Sequence, residues 1–252
     1  MTDTGPGAAV STHTIAGTVL TMPVRIRTAD THVAMFSVPA PAAQRMIDYS
    51  GLRVCEYLPG RAVTMLMLVR YVDGDLGRYH EFGTAVMVNP PGRPAPSGLA
   101  GLRALGAAAA FIHHLPVNQS FTLEAGRRIW GFPKIMADFT VRESPKFDFE
   151  VAEDGRMIAG IEFGAGLPVP SALTARPQVL TTYSCLDGVT REIPWEMRNS
   201  GMRVRAGGAR LRLGDHPYAD ELRALGLPKR ALVSQSSANV EMTFGDAHDV
   251  TT

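Results

Sequence analysis

Lys134 stands in RRIWGFPKIMADF, with Trp130, Phe132, Pro133, Ile135 and Met136 around it. A lysine amine can attack a ketone or aldehyde and form an imine. Once protonated, the imine draws electrons from the bonds of the adjacent carbon. A β-keto acid then loses CO2, or an aldol breaks, and the electrons rest in an enamine. Only the neutral amine attacks. At the ordinary lysine pKa roughly one amine in 2,500 is neutral at pH 7. Bringing a lysine to about 7 takes about 4.6 kcal/mol of bias against the ammonium, and burial among apolar side chains supplies bias of that kind. The competing reading is a stem lying on apolar side chains with its ammonium in water.

Lysine usage separates Lys134 from the other cations. The chain has 25 basic residues, and only Lys134, Lys146 and Lys229 are lysines. Arginine serves wherever a positive charge alone is needed. Lys146 lies in the polar, turn-like ESPKFD and Lys229 in LGLPKRA past a helix end, so both read as solvated. Other constellations are missing. The sequence has no G-x-x-x-x-G-K-[ST], no G-x-G-x-x-G after a strand and no G-x-S-x-G. FGAGLP, 163–168, is a glycine-bearing loop with no helix after it, so no nucleotide site is expected. His113 and His114 read as neighbours at a helix end, pointing in different directions, and no H-x-H or H-E-x-x-H occurs, so no metal is expected. Cys55 and Cys185 lie far apart, which fits a reduced, cytoplasmic compartment. The net charge of +1, with no basic stripe, excludes nucleic acid and a membrane surface as expected partners. No apolar run approaches the ~18 residues of a membrane span. The start, MTDTGPGAAVSTHT, lacks the pattern of a secretory signal.

Elements must now be found to position these residues. Residues 1–15 read as a flexible tail and 16–252 as a single domain. Strands are expected at 32–38, 61–71 and 79–88, the last two joined as a hairpin that carries Glu81. A short helix follows Pro39 over 41–50, and 89–98 is a loop. The Ala- and Leu-rich stretch 99–114 reads as a helix. Further strands are expected at 121–125, 136–142, 147–153, 156–163, 178–184, 201–205, 209–213 and 238–244, with a tight turn at Asp154-Gly155. Asp215 and Pro217 start a helix that Gly226 ends. Asn118 and Gln119 read as turn formers that could also bond a substrate. Many short strands and few helices favour an α+β fold, an antiparallel barrel or sandwich with helices packed outside.

The segment GRRIWGFPK, 126–134, resembles the G-R-E-x-x-x-[YF]-P-K segment of the acetoacetate decarboxylase family, in which the lysine forms the Schiff base. GDLGRYHEFG, 74–83, is similar to the family's stretch with an active-site glutamate, which Glu81 matches. ARLRLGDHPYADELRALGLPKRALVSQSSANVEM, 209–242, resembles its C-terminal part. The resemblance runs from about residue 20 to the end. It implies a cone-like antiparallel β-barrel or double sheet with outer helices, a homo-oligomer, no cofactor, and catalysis by Lys134 and Glu81. The implied function is that of a carbon–carbon lyase on a small β-keto acid. The alternatives are retro-aldol cleavage or dehydration of a different keto acid, and a barrel that binds a small ligand without turnover. The chain departs from the family at three places. Ile135 stands where a second lysine is usual, Arg128 replaces a glutamate, and 62–69 lacks an expected acid. A cationic neighbour is the family's own device for activating its lysine, and Ile135 removes it. On the substrate side the candidates are Arg27 for a carboxylate, Gln119 for a hydrogen bond, and Trp130 and Phe132 as pocket walls.

Overall fold

The computed structural model describes residues 11–92, 105, 108–174 and 176–250. Its strands, in chain order, begin with β1 (Thr12–Ile15), β2 (Thr18–Thr21), β3 (Val24–Pro39), β4 (Arg53–Val54), β5 (Glu56–Leu58), β6 (Arg61–Gly74), β7 (Tyr79–Asn89) and β8 (Ala109–His114). They continue with β9 (Asp138–Arg142), β10 (Phe147–Glu153), β11 (Arg156–Phe163), β12 (Leu167–Pro168), β13 (Gln178–Leu186), β14 (Val189–Ala206), β15 (Ala209–Leu213), β16 (Val233–Phe244) and β17 (His248–Asp249). The helices are α1 (Ala40–Ile47), α2 (Ser120–Trp130) and α3 (Pro217–Ala224), besides a single turn at Ser171–Thr174.

RAVTMLMLVRY is apolar at nearly every position because both faces of β6 are covered. Ala62, Leu66 and Leu68 point to one buried cluster, and Val69 and Tyr71 to another. β7 divides in the same way, with Phe82, Val86 and Val88 facing out and Tyr79 and Ala85 facing in. The inner faces enclose a barrel. Seven strands close it in the order β7-β8-β13-β14-β16-β3-β6, with β6 pairing back to β7. Closure leaves the ring no open edge. Neighbours are antiparallel, as expected, except β8 and β13, which run parallel. The outer cluster sits between the barrel wall and a four-stranded antiparallel sheet, β15-β11-β10-β9, through Phe149, Ile158, Ile161 and Leu211. α1 and α3 pack in that outer layer through Ala43, Ile47, Tyr218 and Leu222. α2 joins the inner cluster instead, through Ala125, Ile129 and Trp130.

The expected hairpin forms, with Val69 opposite Glu81 and Tyr71 opposite Tyr79. Asp154 and Gly155 both take positive φ between β10 and β11, as a two-residue turn demands. Two expectations are overturned. Residues 121–125 are helical, because Gln119 caps Thr122 N–H and Leu123, Glu124, Ala125 and the following arginines are good helix formers. Residues 109–114 form strand β8, because pairing with β7 and β13 overrides their alanine content. The rest of the expected helix, 99–108, falls largely outside the described residues, as does most of the loop 89–98. β1 occupies the end of the stretch read as a tail, whose first ten residues are not described.

β3 also carries His32, whose ring stacks on Phe147 of β10 at 3.5 Å between centroids. Burial lowers its pKa from 6.5 to about 4. Between those values the unfolded chain binds a proton that the folded chain does not, so stability falls as pH drops through that window. In urea unfolding, the wild type should lose about 2 kcal/mol more than His32→Phe between pH 7 and 4.5. Equal losses would sever the ring from the acid sensitivity.

Candidate active site

The site begins where α2 ends. Gly131 adopts φ 62°, and its N–H bonds back to the Arg127 and Gly126 carbonyls. Glycine is the residue that takes this left-handed cap without strain. The chain then leaves as an extended segment whose Pro133 fixes the approach to Lys134. Residues 116–118 stitch this segment to the Glu81 strand. Phe82 N–H donates to the Pro116 carbonyl, Val117 N–H to that of Ile135, and Ala137 N–H to that of Val117. One short stretch of backbone thus holds both segments in register.

Across it, Lys134 Nζ lies 2.7 Å from Glu81 Oε2. The two residues are only 3% and 7% exposed, so this is a buried ion pair. Nζ also donates to Thr122 Oγ1 at 3.0 Å. The other carboxylate oxygen accepts from Tyr71 Oη at 2.8 Å. Tyr79 stacks on Tyr71 at 4.1 Å, and its ring centroid is 5.3 Å from Nζ. Burial, followed by the charge of Glu81, pushes both phenols well above the ordinary tyrosine range. They stay protonated, so Tyr71 is a fixed donor to the carboxylate.

This pair faces a cavity of about 460 Å³ inside the barrel, which Trp130 and Phe132 help to line. Among the described residues that line it, Lys134 is the only cation and Glu81 the only acid. Arg27, the candidate carboxylate anchor, is not there. Its side chain is about half exposed and bonds Asp73 and Asp75 at 2.7 Å each. Gln119 also stays outside the lining. It spends its amide capping α2 and donating to the Leu76 carbonyl. Glu81, Trp130 and Phe132 are therefore brought to Lys134, and Arg27 and Gln119 are not.

Four contributors escaped the sequence reading: Thr122, Tyr71, Tyr79 and Gly126. The two tyrosines carried a signal, since strand alternation puts Tyr79 on the face of Glu81 and pairing puts Tyr71 beside it. Thr122 and Gly126 needed the helix to be recognised. A β-carbon on Gly126 would lie 2.5 Å from Lys134 Cε and 2.6 Å from Cδ, so the lysine stem runs through the space this glycine leaves.

A second polar cluster lies on the outer side of the barrel. His113 and His114 sit on a strand, not a helix end, and both reach Glu221 Oε2 of α3, at 2.6 and 2.8 Å. Tyr49 Oη pairs with His113 Nδ1 at 2.9 Å. Burial lowers the His113 pKa. Burial would raise that of Glu221, but the two histidine hydrogen bonds outweigh it and bring it to about 2. These donor atoms are of the types zinc takes, and here they bind β8 to α3 by hydrogen bonds.

The fold and site define a closed β-barrel protein with a buried lysine–glutamate pair in its lumen. The chain belongs to the acetoacetate decarboxylase (ADC) family, whose model matches residues 12–250. Its fold is similar to that of the acetoacetate decarboxylase from Legionella pneumophila subsp. pneumophila str. Philadelphia 1. The TM-score is 0.65 at 18% identity, covering 91% of this chain and 87% of that one. The enduracididine biosynthesis enzyme MppR complexed with pyruvate aligns with a TM-score of 0.59 at 18% identity, covering 92% of each chain. An acetoacetate decarboxylase-like enzyme from Sphingomonas wittichii RW1 gives 0.54 at 14% identity, over 90% and 94%. At these identities the likeness is one of fold. A search of curated proteins by sequence finds no match.

Two outcomes follow from the packing of the pair. Lys134→Met strands a buried carboxylate and should cost about 3–5 kcal/mol, whereas Lys134→Met with Glu81→Leu should recover most of that. A denaturant double-mutant cycle measures the coupling, and additive losses would mean that the charges do not depend on each other. Gly126→Ala favours a helix by up to about 1 kcal/mol elsewhere. Here it should displace the lysine stem and reduce labelling of Lys134 by carbonyl reagents at least tenfold, read by intact-protein mass.

Proposed function

We propose that the chain is a cofactor-independent carbon–carbon lyase that forms an imine between Lys134 and a carbonyl substrate. One observation carries the proposal: Lys134 Nζ faces a large cavity from a buried position, 2.7 Å from a carboxylate that can receive its proton. Family membership supports it. Transfer of a proton from Nζ to Glu81 Oε2 gives the neutral amine that attack requires. The amine adds to the carbonyl carbon, and the resulting carbinolamine loses water as the acid returns a proton to the departing oxygen. The protonated imine then takes up the electron pair of the breaking C–C bond. CO2 leaves from a β-keto acid, or an aldehyde leaves from an aldol as its hydroxyl proton passes to the Glu81 carboxylate. The enamine carbon receives a proton through Glu81, which Tyr71 keeps oriented, and water hydrolyses the imine to restore the amine.

The lumen serves bond cleavage in an aldol as readily as loss of CO2. Among the described residues lining it, no arginine waits for a carboxylate, and 62–69 places Met65 and Met67 where the family resemblance led us to expect an acid.

Incubation with keto acids and simple ketones, followed by borohydride, reduces any iminium to a stable secondary amine. The expected mass increase equals that of the bound carbonyl compound minus one oxygen atom, on the peptide containing Lys134. Lys134→Arg should take up none, and Glu81→Gln should label at least a hundredfold more slowly. Absence of an adduct with every carbonyl compound, or an adduct on Lys146 or Lys229, would sink the proposal.

A further inference from the structure

We infer that the substrate is a carbonyl compound with an extended, uncharged apolar tail. The inference rests on the imine reading only for the position of the carbonyl. The tail is argued from the lumen.

The cavity is about three times the ~150 Å³ of an apolar cavity that holds one benzene. It is also long. Glu81 and Met87 both line it and lie six residues apart on β7, which is roughly 20 Å along a strand. The Lys134 end is deep, because Lys134, Glu81, Tyr71 and Tyr79 are all buried. The far end reaches half-buried Met202 and Gln235 and exposed Gln178. A small keto acid bound at Lys134 would leave most of this length unfilled.

The walls say what fills it. Ala110 lines the cavity from β8, a small side chain that leaves the space open, and around it stand Met87 of β7, Met35 of β3 and Met65 and Met67 of β6. Seven of the chain's 12 methionines line the cavity. Methionine is unbranched and polarizable, and it adapts to flexible apolar ligands. Beyond the Lys134–Glu81 pair, the described lining carries no charge to hold an anion or cation. An apolar tail is the ligand chemistry this wall removes from water, at about fourfold in affinity for each buried methylene.

The test is a homologous series of unbranched methyl ketones from four to eleven carbons, trapped with borohydride. The concentration for half-maximal labelling of Lys134 should fall about fourfold per added methylene until the lumen is full. Ala110→Leu, which narrows the lumen beside Met87, should end that gain at shorter chains. A flat series, or a preference for the shortest ketone, overturns the inference while labelled Lys134 leaves the imine reading intact. If no ketone labels Lys134, the imine reading fails and binding decides the tail separately. Both tryptophans, Trp130 and Trp195, line the cavity, so their fluorescence reports titration with the corresponding secondary alcohols. Fourfold steps there support the tail, and equal affinities at all lengths overturn it.

Discussion

Lys134 and Glu81 bury two opposite charges side by side, and neither could be buried alone. An isolated ammonium or carboxylate in such a place costs several kcal/mol, and a pair repays that only when its remaining donors and acceptors are satisfied. The surrounding structure meets that condition bond by bond. Thr122 accepts from Nζ, and Tyr71 donates to the second carboxylate oxygen. The Val117 segment bonds both parent backbones, and Gly126 leaves room for the lysine stem. α2 therefore has to lie against the inner cluster rather than on the outside with α1 and α3.

The same requirement fixes strand register. β7 is buried on both faces, so the core would accept either face inward on hydrophobicity alone. A slip of one residue would send Phe82 into the lumen and Glu81 into the cluster with Phe149 and Tyr218. The ion pair forbids it, because the charge of Lys134 would then lack its partner. Thr84 Oγ1, bonded to Tyr218 Oη at 2.6 Å, enforces the same register from the outer side.

Legibility in the sequence followed how local each cause was. Lys134 could be read from lysine scarcity and its apolar neighbours, and the β6–β7 hairpin from two apolar runs about a short polar turn. Asp154-Gly155 could be read because a two-residue turn needs its special residues in place. β8 could not, since AAFIHH becomes a strand only through partners brought from 79–89 and 178–186. α2 was missed because Phe121 and Thr122 favour strands locally, whereas its cap at Gln119 and its stop at Gly131 act together over twelve residues. Arg27 was misplaced for another reason. Residue type offers an anchor, but only the fold shows that Asp73 and Asp75 already hold it at the surface.

The net charge of the lumen ties the site to the proposed chemistry. In the resting pair, a positive nitrogen faces a negative carboxylate, and the described walls add no further charge. A protonated imine places its positive charge on the same nitrogen, so Glu81 keeps its counter-ion when the ammonium becomes an iminium. When electrons flow into that nitrogen to give a neutral enamine, the carboxylate would stand alone in an apolar lumen, which is the costly state. Proton uptake by Glu81 relieves it, and delivery of that proton to the enamine carbon regenerates the opposed charges. An uncharged tail preserves this balance at every step. A substrate that retained a carboxylate beside Glu81 would add like charge in a low-dielectric space where no second cation answers it. Loss of CO2 removes that charge as the bond breaks, and aldol cleavage of a neutral compound never introduces it.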